Sequence, residues 1–118
     1  MKHTRFYSPG EALGVEVHRG TKMCVTVHNG SRVIGAAVGK NITPAEALSL
    51  VDSLIAKQIP RIMVIDNGSG FLSKSIASHI SQRGIQVAPP SPYNPRTTPG
   101  ERYVKKFNIT GKRGKHVT

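Results

Sequence analysis

Four consecutive apolar residues, Ile62-Met63-Val64-Ile65, restrict the folds open to this chain more than any other segment. An apolar strand without polar alternation is typical of a parallel strand in the middle of a sheet that helices cover. The segments on either side, 47–55 and 72–80, carry apolar residues at helical spacing. Together they predict an α/β domain, built as a small sandwich with a mixed sheet.

Turn and helix-cap residues predict where the other strands and helices begin and end. Asn29-Gly30 lies between two runs of β-branched and small apolar residues, which predicts a β-hairpin. Thr43-Pro44-Ala45-Glu46 has the residues of a capping box at a helix start, and Gly84 is typical of the position after a helix end. The predicted order is β-hairpin, α, β, α, β, with strands at 15–17, 22–27, 32–38, 61–65 and 85–87 and helices at 43–60 and about 73–83.

Positive charge is concentrated at the two ends of the chain. The formal net charge is +11, and residues 96–118 hold seven basic side chains against one acidic side chain. Five prolines between Pro89 and Pro99 argue against regular structure until about Glu101. We expect a single domain over residues 1–118, with a core at about 13–87, a basic extended N-terminal arm at 1–12 and a Pro-rich, basic, extended C-terminal arm at 88–118.

This charge favours a polyanionic partner, because each Lys or Arg that neutralises a phosphate releases counterions. Nucleic acid is therefore the first expectation and an acidic membrane surface the second, although no apolar run approaches the length of about 18 residues of a membrane span. Cys24 lies in an apolar alternation and is expected to be a buried small hydrophobe. His79 is expected to be a solvated helix residue. Cys24 and His28 lie on one predicted strand, but no second pair has the spacing of metal ligands.

Two loops resemble those of the DDE integrase and transposase catalytic core. Asp66-Asn67-Gly68-Ser69-Gly70-Phe71 is similar to the turn that the family's second acid opens, and Ser91-Pro92-Tyr93-Asn94-Pro95 is similar to the loop before its third acid. The resemblance implies an RNase H-like fold and three carboxylates that hold divalent ions for phosphodiester cleavage. The candidate catalytic residues are Glu16 as first acid, with Gly14 as the only other position offered, Asp66 as second acid, and Glu101 as third acid at a slightly shortened spacing.

Over the whole chain, the order of elements resembles the small-subunit ribosomal protein eleven family. The hairpin Val25-Thr26-Val27-His28-Asn29-Gly30, the helix start Thr43-Pro44-Ala45-Glu46-Ala47 and the segment Pro92-Tyr93-Asn94-Pro95-Arg96 are similar to its motifs, the last to a segment that grips ribosomal RNA. The family's glycine-rich insertion and terminal basic motif are missing, which indicates a divergent organellar member. Large-subunit ribosomal protein eighteen has a related order of elements and stays open as an alternative.

The whole-chain fit outweighs the two loop motifs, because five-residue matches recur on loops by convergence. The main prediction is a non-enzymatic constituent of the small ribosomal subunit in mitochondria, with another organelle or the cytoplasm as alternative locations. The expected partners are ribosomal RNA and neighbouring ribosomal proteins, without a cofactor, membrane or small-molecule substrate. One alternative is a DDE integrase-type nucleic-acid-processing domain, active with Mg²⁺ or degenerate, and another is a free-standing nucleic-acid-binding module. The residues predicted to bind RNA are Lys2, Arg5, Arg19, Lys22, Arg32, Gly68, Ser69, Gly70, Tyr93, Asn94, Arg96, Arg102, Lys105, Lys106, Lys112, Arg113 and Lys115.

Overall fold

Eight helices and strands make up the part of the chain that the computed structural model describes, residues 12–65, 70–90 and 98–109. In chain order they are β1 (Ala12–Arg19), β2 (Met23–His28), β3 (Val33–Gly39), α1 (Pro44–Lys57), β4 (Ile62–Ile65), α2 (Phe71–Gln82), β5 (Gln86–Ala88) and α3 (Pro99–Lys106).

The five strands form one mixed sheet in the order β3-β2-β1-β4-β5. β2 pairs antiparallel with both β1 and β3, whereas β4 pairs parallel with both β1 and β5. The prediction of an α/β fold with a mixed sheet and a parallel inner strand at 62–65 is therefore confirmed. The β1–β4 register ends at the pair Val15–Ile65, so that the next residues of the two segments are Glu16 and Asp66.

One face of the sheet carries the apolar core. Alternate residues of β1 and β2 point to this face, where they pack with the buried sides of α1 and α2. Met63 of β4 lies at the centre of this packing and is fully buried. The buried residues of the cluster are Leu13, Val15, Val25, Val27, Ile42, Ala47, Val51, Ile55, Met63, Ile65, Leu72, Ile76 and Ile80.

The predicted turns and caps are confirmed in detail. The Thr43 hydroxyl accepts from the Glu46 N–H at 3.2 Å, and the Glu46 carboxylate accepts from the Thr43 N–H at 2.8 Å, which completes the capping box of α1. The hairpin turn is closed by the Asn29 N–H, which donates to the Arg32 carbonyl at 3.1 Å. Gly84 follows α2 with φ +82°, a conformation that favours glycine.

Helix α3 contradicts the prediction that residues 88–118 form an extended arm throughout. Pro99 stands in the first turn of α3 behind the N-cap residue Thr98, where proline is favourable because the missing N–H has no helical partner. Val104 then anchors the helix, with 9% of its surface exposed. Residues 1–11, 91–97 and 110–118 of the predicted arms lie outside the described residues.

Smaller differences concern element ends and two side chains. β1 extends well beyond the predicted strand at 15–17, and α2 begins at Phe71 rather than near Ser73. Cys24 is buried as predicted, and burial raises the pKa of its thiol to about 11. His79 is not merely solvated, since its Nε2 lies 3.0 Å from Asp52 Oδ1 and ties α2 to α1. None of the helices among the described residues is long and apolar enough to cross a membrane.

Candidate functional site

The second face of the sheet carries polar residues under the first turn of α3. Glu16, on β1, has a half-buried side chain at the centre of this group. Thr98, the N-cap residue of α3, donates its hydroxyl proton to Glu16 Oε1 at 2.8 Å. Gly100 packs so closely that a Cβ there would collide with Glu16 Oε1 and Thr26 Oγ1. The first turn of α3 therefore packs directly against the Glu16 carboxylate on β1.

Two histidines complete the surroundings of Glu16. His28 Nε2 lies 3.1 Å from Glu16 Oε2, and His18 Nε2 lies 3.4 Å from Glu16 Oε1 and 3.0 Å from Thr26 Oγ1. The Gly30 N–H donates to His28 Nδ1 at 3.1 Å, so the ring proton of neutral His28 is on Nε2 and is donated to Glu16. Both oxygens of Glu16 thus accept hydrogen bonds from this chain.

The environment favours the ionised form of Glu16. Burial is the largest single influence and raises its pKa, but hydrogen bonds from His28 and Thr98, with the charges of His28 and His18, lower the pKa to a net value below 4.5. Burial also lowers the pKa of His18 below 6.5, against the opposite effect of the Glu16 and Glu101 carboxylates. At neutral pH the ionised carboxylate of Glu16 therefore lies beside the neutral imidazole of His18.

Gly14 and Glu16, the two positions considered for the first acid, have different surroundings in the structure. Gly14 faces His28 across the β1–β2 pair, and a Cβ at position 14 would collide with the His28 ring. Any side chain at position 14 would have to displace the His28 ring. Glu16 lies one residue beyond the last β1–β4 pair, on the face that α3 covers.

Glu101, the candidate third acid, is in the first turn of α3 and is exposed. Its backbone N–H donates to Thr98 Oγ1 at 3.1 Å, and the charge of its carboxylate partly opposes the lowering of the His18 pKa by burial. The first turn of α3, which contains Glu101, thus packs against Glu16 of β1. Asp66, the candidate second acid, lies outside the described residues. Within the described ranges, no three His, Cys, Asp or Glu residues are placed to hold a metal ion.

The residues predicted to bind RNA lie in three places where the structure describes them. Arg19 and Lys22 are exposed beside the turn from β1 to β2, and the Arg19 guanidinium lies near Gly70 at the start of α2. Arg32 is at the opposite end of β2, where Arg102 Nη2 donates to the Ser31 carbonyl at 3.4 Å. Lys105 and Lys106 are exposed in the last turn of α3. The other predicted residues lie outside the described ranges: Lys2, Arg5, Gly68, Ser69, Tyr93, Asn94, Arg96, Lys112, Arg113 and Lys115.

Sequence reasoning missed the partners of Glu16. His18, His28 and Thr98 meet at this carboxylate only through the β1–β2 register and the docking of α3. One signal was available: Thr98-Pro99-Gly100-Glu101 repeats the cap pattern of Thr43-Pro44-Ala45-Glu46 and indicates a helix start.

The fold is that of retroviral integrase catalytic cores, the RNase H-like fold. The catalytic core domain of BIV integrase superposes with a TM-score of 0.54 at 17% sequence identity, over 89% of this chain and 68% of that chain. A chain of the simian T-cell lymphotropic virus intasome, in complex with PP2A regulatory subunit B56 gamma, superposes with a TM-score of 0.58 at 20% identity, over 89% of this chain and 39% of that chain.

No family model and no curated protein matches the sequence. At these identities the structural likeness shows the fold alone. It supports the integrase alternative rather than the main prediction of a ribosomal protein, for which neither the structure nor the comparisons provide support. The mitochondrial location stays a prediction.

Proposed function

We propose that this chain binds a polynucleotide and acts on its phosphodiester backbone, with Glu16, Asp66 and Glu101 as the acidic residues of the site. The proposal rests on two contacts of β1: β1 pairs with β4, and the first turn of α3 packs on β1. β1 and β4 run parallel and in register up to Val15 and Ile65, so Glu16 and Asp66 are the next residues of each segment. The first turn of α3, which contains Glu101, packs on Glu16.

The chemistry of the donors fits a magnesium site. Carboxylate oxygens are the protein ligands that Mg²⁺ takes, and the lowered pKa of Glu16 keeps this group ionised at neutral pH. When bound, divalent ions supply charge stabilisation to the attacking and leaving oxygens of a phosphodiester. Because His28 and Thr98 already donate to Glu16, this carboxylate is held in place from inside the protein.

Basic residues would bind the phosphate backbone of the polynucleotide. Arg19, whose guanidinium lies beside Gly70, and the positive end of the α2 dipole would both attract a backbone phosphate. Lys22 extends this positive surface along the turn from β1 to β2. The chain's own residues would thus hold the backbone beside the acids, while the net charge of +11 attracts nucleic acid from a distance.

The test is cleavage of an end-labelled oligonucleotide duplex in the presence of Mg²⁺ or Mn²⁺. Asp66→Asn and Glu101→Gln should each abolish cleavage and leave duplex binding intact, because each change removes a negative charge without removing a cation. Glu46→Gln is the matched control, since Glu46 occupies the same helix position in α1 and lies on the other side of the sheet. No cleavage by the unmodified chain, or full cleavage by both acid variants, would overturn the proposal.

A further inference from the structure

β3 is an outer strand of the sheet, and its outward backbone edge is called the β3 edge below. Among the described residues β3 pairs only with β2, so every second N–H and C=O group along it points away from the sheet. Such an edge accepts another strand unless charged side chains, proline or a bulge prevent pairing. The residues of Val33–Gly39 are all apolar or glycine. The register with β2 shifts only near the hairpin, between Val27 and His28, and residues 35–39 pair regularly.

Apolar side chains flank the β3 edge on both faces of the sheet. Val38 shares the face of Thr26, which α3 covers, and has 49% of its surface exposed. On the opposite face, the half-buried side chains of Leu50 and Leu54 on α1 lie over Gly35. A strand added at this edge would therefore bury apolar side chains on both of its own faces.

The two ends of β3 carry positive charge. Arg32 precedes the strand and Lys40 follows it, and both residues are exposed. Arg102 brings a second guanidinium to the Arg32 end, because its Nη2 donates to the Ser31 carbonyl at 3.4 Å. The β3 edge is thus an apolar strip between two basic ends. Its charge complements an extended peptide that has apolar residues in the middle and an acidic residue at each end.

We propose that the β3 edge binds such an acidic-ended, extended peptide of another protein, which joins the sheet as a further strand. A second copy of this chain fits less well, because antiparallel pairing of two β3 strands about Ala36 would place Arg32 opposite Lys40. The net charge of +11 on each copy adds to this repulsion. A polynucleotide would suit the two basic ends, but it has no N–H and C=O groups at strand spacing to pair with the middle.

The chain's own segments outside the described ranges also have the wrong charge for this edge. Segments 1–11, 91–97 and 110–118 contain one acidic residue, Glu11, and the basic residues Lys2, Arg5, Arg96, Lys112, Arg113 and Lys115. The proposed partner is therefore a different protein. This inference does not depend on the phosphodiester chemistry proposed above, since β2 separates β3 from the strand that carries Glu16.

The binding experiment uses the full chain and a synthetic peptide, Asp-Val-Thr-Val-Ile-Val-Thr-Val-Asp, with both ends blocked. Its two acidic residues have the same spacing in sequence as Arg32 and Lys40. Binding should shift the backbone amide NMR signals of β3 and slow hydrogen exchange at alternate β3 amides. A peptide with Lys at both ends, and one with Pro in place of the central Ile, should each bind about tenfold more weakly.

Protein variants test the strand edge and its basic ends separately. Val38→Lys places a charge on the edge and should weaken peptide binding about tenfold. Ile59→Lys is the matched control, because it adds the same charge at an exposed apolar residue beyond the end of α1 and should leave binding unchanged. Arg32→Glu combined with Lys40→Glu should reverse the preference, so that the Lys-ended peptide binds more tightly than the Asp-ended one.

Three results would overturn the inference. The first is that the Asp-ended peptide does not bind, or shifts signals outside β3 only. The second is that the charge reversal leaves the preference between the two peptides unchanged. The third is slow exchange at every β3 amide of the chain alone, since another occupant would then cover the edge. Sedimentation equilibrium would identify that occupant as a second copy if the chain is a dimer, or as a segment of the same chain if it is a monomer.

Discussion

Glu16 and His18 are two titratable residues of β1 that the fold places on the side of the sheet opposite the apolar core. A half-buried carboxylate is costly unless it is hydrogen-bonded, and Glu16 is bonded through both oxygens. Its ionised form is therefore favoured in the folded state, while burial disfavours the charged form of His18. Both effects make the stability of the protein depend on pH in the same direction.

We expect the free energy of unfolding to fall in two stages as the pH is lowered. The folded pKa of His18 lies below 6.5, so below that pH the unfolded chain takes up a proton that the folded chain refuses, and stability falls. The folded pKa of Glu16 lies below 4.5, so its contribution is complete above 4.5 and is lost as the pH falls further. Urea unfolding at a series of pH values measures both stages.

Two variants assign the stages to residues. His18→Gln should remove most of the decline that begins at pH 6.5, and Glu16→Gln should reduce the decline that begins at 4.5. His79→Gln is the control, because His79 pairs with Asp52 between the helices and does not contact Glu16. An unchanged pH profile in His18→Gln would contradict the assignment of the upper stage.

At the scale of the elements, the sequence was sufficient where the signal was local. The Asn29-Gly30 turn, the Thr43 capping box and Gly84 each depend only on residues that are close together in the sequence. Each of these features is found as predicted. Helix α3 was missed because Pro99 was interpreted as the end of irregular structure rather than as the first turn of a helix. Its docking on β1 and β2 is a long-range event for which the sequence offers only Gly100 as a signal.

Gly100→Ala tests that docking. Alanine is the better helix former, so an isolated helix would gain stability, but here the added methyl group would collide with Glu16 and Thr26. Overpacking of this kind costs about 1–3 kcal/mol, and we expect a net loss of stability in urea unfolding. Ala45→Gly makes the reverse change in the matching motif of α1, at an exposed position, and should cost only about 0.5–1 kcal/mol. A Gly100→Ala variant as stable as the unmodified chain would contradict this packing.

In the part of the chain that the structure describes, the two faces of the sheet carry different helices. α1 and α2 cover the core face, while α3, with Lys105 and Lys106 in its last turn, lies on the other side. Composition alone predicted a polyanionic partner but could not separate a ribosomal role from an integrase-like one, because both require the same charge. The sheet order identifies the fold, and α3 packs on Glu16. Composition could predict neither feature, because both depend on contacts between residues far apart in the chain.

Lys105 and Lys106 should contribute to the salt dependence of nucleic-acid binding. Each phosphate contact contributes about 0.9 to the slope of log K against log salt on duplex DNA, so replacing both Lys105 and Lys106 with Gln should lower the slope by up to about 1.8. Lys57→Gln, in the last turn of α1, removes a comparable exposed charge from the core-covering side and should leave the slope unchanged. Circular dichroism of each variant checks that α3 and α1 persist, since cations near a helix C-terminus are stabilising. Equal slopes for the two sets of variants would place the bound polynucleotide away from α3 and contradict the polar face as the binding surface.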